Sequence, residues 1–384
     1  MKVIVLKENL NTGINIVARA SGKNLTLPVL NNILISAEKN FLNLSATDLE
    51  LGIKYWILTK IEKEGKITIP SKVLSSFVNF LPNEKLTLES KNQVLYISSE
   101  NYKTQIKGQT AEEFPIIPKI EDKNSIELNC ALFCEGLSQV VDFSIPNQTR
   151  PELSGVYLNF QKDKLQLAAT DSFRLAEKNL YFEKNNQRST IHTQQISFIL
   201  PQKTTREIIN ILSDKKGKLK LYYSSNQVLF EYSMEETPHP QIEIVSRLIE
   251  GDYPDYQGII PKKYQAQVVL SKNDLLNQIK AASIFSGKSN EVKIKVDSKR
   301  GGVEIISQNP EYGENRSFLR GNLDYKGAAK EMEVSFNYRF LVDGLLNIPT
   351  PKVVFELNGE DGPAVLKPES DQNYIYVVMP IKSS

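Results

Sequence analysis

A chain of 384 residues, 40% hydrophobic and 24% charged, is long enough for two or three domains of about 100 to 200 residues, each able to bury its own core. Its 47 Lys and Arg stand against 45 Asp and Glu, so no global positive excess announces nucleic acid, and a DNA-binding surface has to arise by segregating charge. No apolar run approaches the roughly 18 residues of a membrane helix, which excludes membrane spanning of that kind.

MKVIVL (1–6) alternates like a strand, and the Glu8 and Asn9 that follow stand where a secretory signal needs an apolar core; a cytoplasmic protein is expected. LNTGINIVARA follows with apolar residues at helical spacing. The same pair recurs as NSIELN (124–129) with ALFCEGLSQVVDF, and as AQVVLS (266–271) with NDLLNQIKAASIF. A second step also recurs, from strand to helix, in ITIPSKVLSSFVNFL (67–81), FILPQKTTREIINIL (198–212) and VSFNYRFLVDGLLNI (334–348). Pro70 and Pro201 are expected at the helix starts, where a missing N–H costs nothing. Returning strands close each unit: KLTLESKNQVLYIS, KLKLYYSSNQVLFEYS and KVVFELNGEDGPAVL, with Asn-Gln or Gly supplying the turn.

Strands outnumber helices and mostly follow one another directly, which predicts an α+β fold with antiparallel sheets. The domains are expected at 1–119, 124–250 and 263–384, joined by FPIIPKIEDK and YPDYQGIIPKK. Units of this size bury their own cores, unlike solenoid repeats of 20 to 50 residues, and similar units joined head to tail close into a ring when the rotation permits.

Chemical motifs are sparse. Cys130 and Cys134 lie one helical turn apart and read as buried thiols rather than a disulfide. His192 and His239 have no ligand-type neighbours at metal spacing, and no metal or cofactor is expected. Asp48 and Asp171, in the twin stretches LNLSATDLELG and LQLAATDSFRLA, are the carboxylates for metal-assisted phosphodiester chemistry, or else caps of the turn after a strand. Arg19 with Lys23, Lys72, Lys203 with Arg206, Lys272 with Lys280, and Arg339 lie at or near five of the six predicted helices. They are solubilising charge or, if the helices share one cavity, a lining for phosphates. In NYIYVVMPIKSS, Tyr374 to Val378 reads as a last strand and Met379, Pro380 and Ile381 as an apolar extension suited to a protein-binding groove.

The order TLPVLNNILI, ATDLELG, FPIIP, LSGVYLNF, AATDSFRLA, EGDYPDYQGIIP and YVVMPI resembles the bacterial DNA polymerase III beta subunit, the sliding clamp, over essentially the whole chain. The resemblance implies three clamp domains, sheets outside and two helices each inside, in a ring-forming homodimer. Such a ring has no catalytic residues and holds a polymerase on double-stranded DNA by enclosing it. It also implies a peptide pocket for the DNA polymerase III alpha subunit, the clamp loader, other polymerases and repair factors. Carried over by position, that pocket takes Leu153, Thr170, Ser172, Phe173, Arg174, Leu175, Pro254, Tyr256, Ile259, Asn337, Phe340, Pro363, Val377, Val378, Met379, Pro380 and Ile381. For DNA the resemblance points to the helices and to Lys23, Asn24 and the stretch Asn147 to Arg150; for the dimer, to Thr104, Ile106, Ser283 and Ile284. Ser172-Phe173 stand where the family often has Gly-His, and Gly258 where an arginine is frequent.

Overall fold

Among the described residues, six α-helices form where the apolar spacing predicts them: α1 (Lys7–Val17), α2 (Ser71–Phe80), α3 (Cys130–Val140), α4 (Gln202–Leu212), α5 (Lys272–Ser283) and α6 (Tyr338–Leu346). Helix α1 shows why. Leu10, Ile14 and Val17 fall on one stripe and are fully buried, while its other faces meet water. Pro70 and Pro201 sit one step earlier than expected, as the last residues of strands Gly65–Pro70 and Ile196–Pro201, with the helices starting at the next residue. A fixed φ suits either position, and the pairing of both prolines with a neighbouring strand settles which one they take.

The computed structural model describes residues 1–22, 26–120, 125–182, 196–326 and 331–382. Within them the chain forms two compact units, one built from 1–134 and 207–248, the other from 135–182, 196–206 and 249–382. Each holds one large antiparallel sheet and one smaller one.

In the first unit, the strands flanking the first Ala-Thr-Asp, Phe41–Thr47 and Leu51–Leu58, lie in an eight-stranded sheet beside Pro240–Arg247 from the second repeat, with Ile53 opposite Ile244. The smaller, five-stranded sheet ends at Lys103–Lys107. In the second unit, Lys164–Thr170 and Arg174–Tyr181 flank the second Ala-Thr-Asp and lie in a nine-stranded sheet beside Tyr374–Val378 from the third repeat. Its four-stranded sheet ends at Gly313–Arg320. The strand after the turn of one repeat thus pairs with the last strand of the next repeat, twice, by the same antiparallel ladder. The middle repeat gives strands to both large sheets.

Cys130 and Cys134 are buried and unbridged, the Cys130 thiol 3.6 Å from the Leu212 carbonyl. No helix among the described residues is long and apolar enough to cross a membrane.

Gly344 in α6 faces the ring of Tyr376, which is fully buried and donates to the Phe340 carbonyl at 2.8 Å; a Cβ on residue 344 would overlap that ring. Gly344→Ala gains about 1 kcal/mol of helix propensity but overpacks a rigid wall at about 1 to 3 kcal/mol. The clash wins. Chemical denaturation should show a lower midpoint for Gly344→Ala, whereas a rise would mean that Tyr376 moves aside freely.

Candidate functional site

The two Ala-Thr-Asp turns are built alike, bond for bond. Thr47 donates to the Leu51 carbonyl at 3.0 Å and accepts from the Leu49 N–H; Thr170 donates to the Arg174 carbonyl at 2.6 Å and accepts from the Ser172 N–H. Asp48 Oδ1 accepts the N–H groups of Glu50 and Leu51, and Asp171 Oδ1 those of Phe173 and Arg174. Leu49 and Ser172 both take left-handed backbone, at φ 79° and 77°. Both aspartates therefore cap a turn, the structural alternative of the sequence reading, and no cluster of three metal-ligating side chains occurs among the described residues.

Only the second turn opens onto a sizeable cavity within its own unit. About 320 Å³ is enclosed by eleven of the seventeen expected pocket residues: Leu153, Thr170, Ser172, Phe173, Arg174, Leu175, Pro254, Tyr256, Ile259, Val377 and Met379. The floor is the buried cluster Ala168, Leu175, Tyr256, Val365 and Val377. Phe173, 61% exposed, and Ile259 form a rim that is apolar yet open to water. The tail is tied to that rim, since the Met379 N–H donates to the Phe173 carbonyl at 2.9 Å.

The other six residues surround the cavity without lining it. Phe340 stacks on Phe173 with ring centroids 6.4 Å apart. Asn337 caps α6 by accepting the Arg339 N–H, Pro363 accepts from Asn358 Nδ2, and Val378 is fully buried beside Val377. Ile381 is held to the Ser335 carbonyl, which draws Pro380 and Ile381 away along strand Glu331–Asn337. Alternation turns Val378 to the face opposite Val377, and the tail's anchoring, which the local sequence does not state, places Pro380 and Ile381.

Charge fixes the pocket's shape. Arg174 is 9% exposed, and its guanidinium is bonded through Nε to Asp171 Oδ2 at 2.8 Å and through Nη1 to Asp343, and lies 4.6 Å from the Phe340 ring centre. Burial works against its charge, but the bonds to Asp343 and Asp171 outweigh burial and hold it more firmly protonated than a free arginine. Tyr256 donates to Glu177 Oε2 at 2.8 Å; burial first, then that carboxylate, pushes the phenol well above its usual range, so it stays a donor.

Arg150, expected among DNA contacts, also lines this cavity, with Nε on Glu152 at 3.0 Å and Nη1 on Ser172 Oγ at 3.3 Å. Asp343 was missed altogether. A lone acid in a helix carries no sequence signal for a partner 169 residues away. Asn147 accepts from the Thr149 and Arg150 N–H groups, so it shapes the loop ahead of the pocket.

The remaining candidates are spread over the units. Lys72, Lys280 and Arg339 are exposed on α2, α5 and α6. Arg19 pairs with Glu207 at 3.1 Å, Arg206 with Asp142 at 2.9 Å, and Lys272 donates to the Ile348 carbonyl, while Lys203 lies in α4. Lys23, Asn24 and His192 lie outside the described residues. Of the expected dimer residues, Ile284 is 71% exposed, Ser283 ends α5, and Thr104 is half-buried on an edge strand. Ile106, only 7% exposed, is already packed into its own unit.

Residues 1–118, 127–255 and 257–382 match, in that order, the N-terminal, central and C-terminal domains of the DNA polymerase III beta subunit. The chain belongs to the DNA polymerase III beta subunit family. Its role is that of the family, a DNA polymerase processivity factor without catalysis of its own. Similar proteins include the beta sliding clamps of Synechococcus elongatus, 26% identical over 388 residues and covering 100% of this chain and 99% of that one, and of Staphylococcus epidermidis, 26% identical over 392 residues with full coverage of both. Among solved structures, the DNA polymerase III beta subunit of Thermotoga maritima is 26% identical with a TM-score of 0.88, covering all of both chains. The sliding clamp of Bacillus subtilis, 24% identical and again covering all of both chains, has the same fold at a TM-score of 0.90.

A left-handed serine carries about 1 kcal/mol of strain that glycine does not. Ser172→Gly should therefore raise the denaturation midpoint despite losing the Arg150 bond, because that bond lies at the exposed surface. A fall in stability would show that the Ser172 hydroxyl outweighs the backbone strain.

Proposed function

We propose that two copies of this chain, each with clamp domains at 1–119, 124–250 and 263–384, close head to tail into a ring around duplex DNA in the cytoplasm. The 320 Å³ cavity then captures short hydrophobic peptides of the DNA polymerase III alpha subunit, the clamp loader, other polymerases and repair factors. One observation carries the ring. Two of three possible joints between repeats are made within the chain, each pairing the strand after a turn with the last strand of the next repeat. The two strands left over are Gly313–Arg320, in the post-turn position of the third repeat, and Lys103–Lys107, the last strand of the first. Both are sheet edges. An open edge is a template for another chain, and a second copy supplies both missing partners at once.

The interface set Thr104, Ile106, Ser283 and Ile284 fits this joint. Thr104 and Ile106 belong to the first edge, and the exposed Ile284 offers apolar area that is otherwise in water. For DNA we propose phosphate contacts by Arg19, Lys23, Asn24, Lys72, Asn147, Arg150, Lys203, Arg206, Lys272, Lys280 and Arg339. Phosphate contact without base readout is salt-sensitive and sequence-independent, as sliding requires.

The pocket fits a peptide with a leucine and an aromatic anchor, because its floor is apolar and mostly aliphatic and its rim offers Phe173 for stacking. The charge of Arg150 at that rim favours an acidic residue in the peptide.

Light scattering should give twice the 43.5 kDa chain mass, and loaded protein should be retained on circular DNA but run off linear duplex. Ile284→Glu should lower both mass and retention. Equal retention on the two DNA forms would overturn enclosure. Separately, Phe173→Ala with Met379→Ala should weaken a Leu/Phe-bearing peptide at least about tenfold while leaving DNA retention intact; unchanged peptide affinity would remove the pocket assignment.

A further inference from the structure

The sheet face of the first unit opposite α1 is not the plain polar surface that alternation leads one to expect. Helix α1 covers the face carrying Leu44 and Tyr55. The other face carries Phe41, Asn43 and Ser45 beside Lys54 and Trp56, with Asn43 opposite Trp56 in register. His239 stacks on Phe41 with ring centroids 3.9 Å apart, and Trp56 meets His239 edge-on at 5.5 Å. Segment 111–119 borders the same face, burying Phe114 and Ile117 in the core and leaving Lys119 at the surface. About 650 Å³ is enclosed between them.

Lys39, Lys54, Lys66 and Lys119 line this cavity. Lys54 is held by Glu243 at 3.3 Å and Lys66 by Glu38 at 3.0 Å, while Lys39 and Lys119 have no ion pair among the described residues. Asn43 is half satisfied. Its Oδ1 accepts from Ser45 at 2.6 Å, and its buried Nδ2 has no partner. His239 Nδ1 donates to the Pro240 carbonyl at 2.7 Å, which fixes the orientation of the ring.

We propose that this cavity binds a single-stranded polynucleotide, with a base stacked on the Phe41–His239–Trp56 cluster and phosphates meeting Lys39 and Lys119. Aromatic rings beside unpaired lysines are the two elements of sequence-tolerant single-strand binding. A duplex keeps its base faces stacked inside and has no ring to offer here. A simple inorganic anion would use the lysines and leave the rings unused. An acidic peptide without aromatic side chains would do the same. The site is separate from the proposed lumen contacts and does not require ring closure.

Trp56 is the chain's one tryptophan, so its emission reports this cavity alone. Oligothymidylate titrated into the full chain should quench Trp56 saturably and in a salt-dependent way. Lys39→Glu with Lys119→Glu, both at exposed positions, should weaken the quenching about tenfold, as should Phe41→Ala. The response should persist in Ile284→Glu, which separates it from failure of the ring. Absence of quenching, quenching unchanged in the lysine variant, or an equal response to duplex DNA would overturn the proposal. So would an equal response to polyglutamate, which would mark the cavity as a protein-docking site.

Discussion

One antiparallel strand pair, used again and again, is what the rest of the molecule depends on. In each unit the strand leaving a Thr-Asp turn is met by the last strand of the following repeat, Leu51–Leu58 by Pro240–Arg247 and Arg174–Tyr181 by Tyr374–Val378. Backbone bonds of this kind contribute only about 0.5 to 1.5 kcal/mol each, since water satisfies the same groups in an open edge. They nonetheless set register, because a slip of one residue would turn Leu175 and Val377 out of the core. A joint within the chain costs only loop closure, whereas the same joint between chains costs about 4 to 15 kcal/mol of lost rigid-body freedom. In the ring proposed above, the exposed apolar surface of Ile284 would help offset that, given that Ile106 is already buried.

The pocket is a consequence of the joint. Where Tyr374–Val378 runs out beside the second turn, the tail turns off at Met379 and leaves Phe173 and Ile259 uncovered. The first turn shows how side chains decide the outcome: Leu51 stands at the position of Arg174, Gly52 at that of Leu175, and the cavity there is about 160 Å³. Arg174 adds little to stability, because desolvating a buried ion pair costs nearly what the pair returns. Its bonds to both Asp171 and Asp343 instead give the wall a single shape, tying the turn to α6.

The repeats, the strands and all six helices were legible in the sequence, because periodicity is local and every repeat states it again. Eleven pocket residues were placed by resemblance, and the turn-capping alternative for Asp48 and Asp171 was available from side-chain chemistry alone. The joints were not legible. Lys178 pairs with Tyr374 across almost 200 residues, and two alternating strands advertise no preference for each other over other strands. The place of Arg150 at the cavity was not legible either, because a charge in a loop does not say which way it points, and only the contact with Ser172 brings it there. The aromatic face around Trp56 escaped for a related reason: Phe41, Trp56 and His239 come from three strands or their ends, and no single stretch contains the cluster.

Backbone strain indicates which role of the turn is the basic one. Leu49 and Ser172 both occupy left-handed conformations at which glycine would be easier, and they persist because a Thr hydroxyl and an Asp carboxylate over-determine each turn. If the turn existed to make a pocket, that cost would be expected only at Ser172. Leu49 bears it beside a cavity half the volume, with Leu51 in the place of the buried arginine. What the two sites share is the direction in which the next strand leaves and the strand it then meets. The turn is therefore first a device for joining repeats, and the larger cavity forms at the joint where the anchored tail lies alongside.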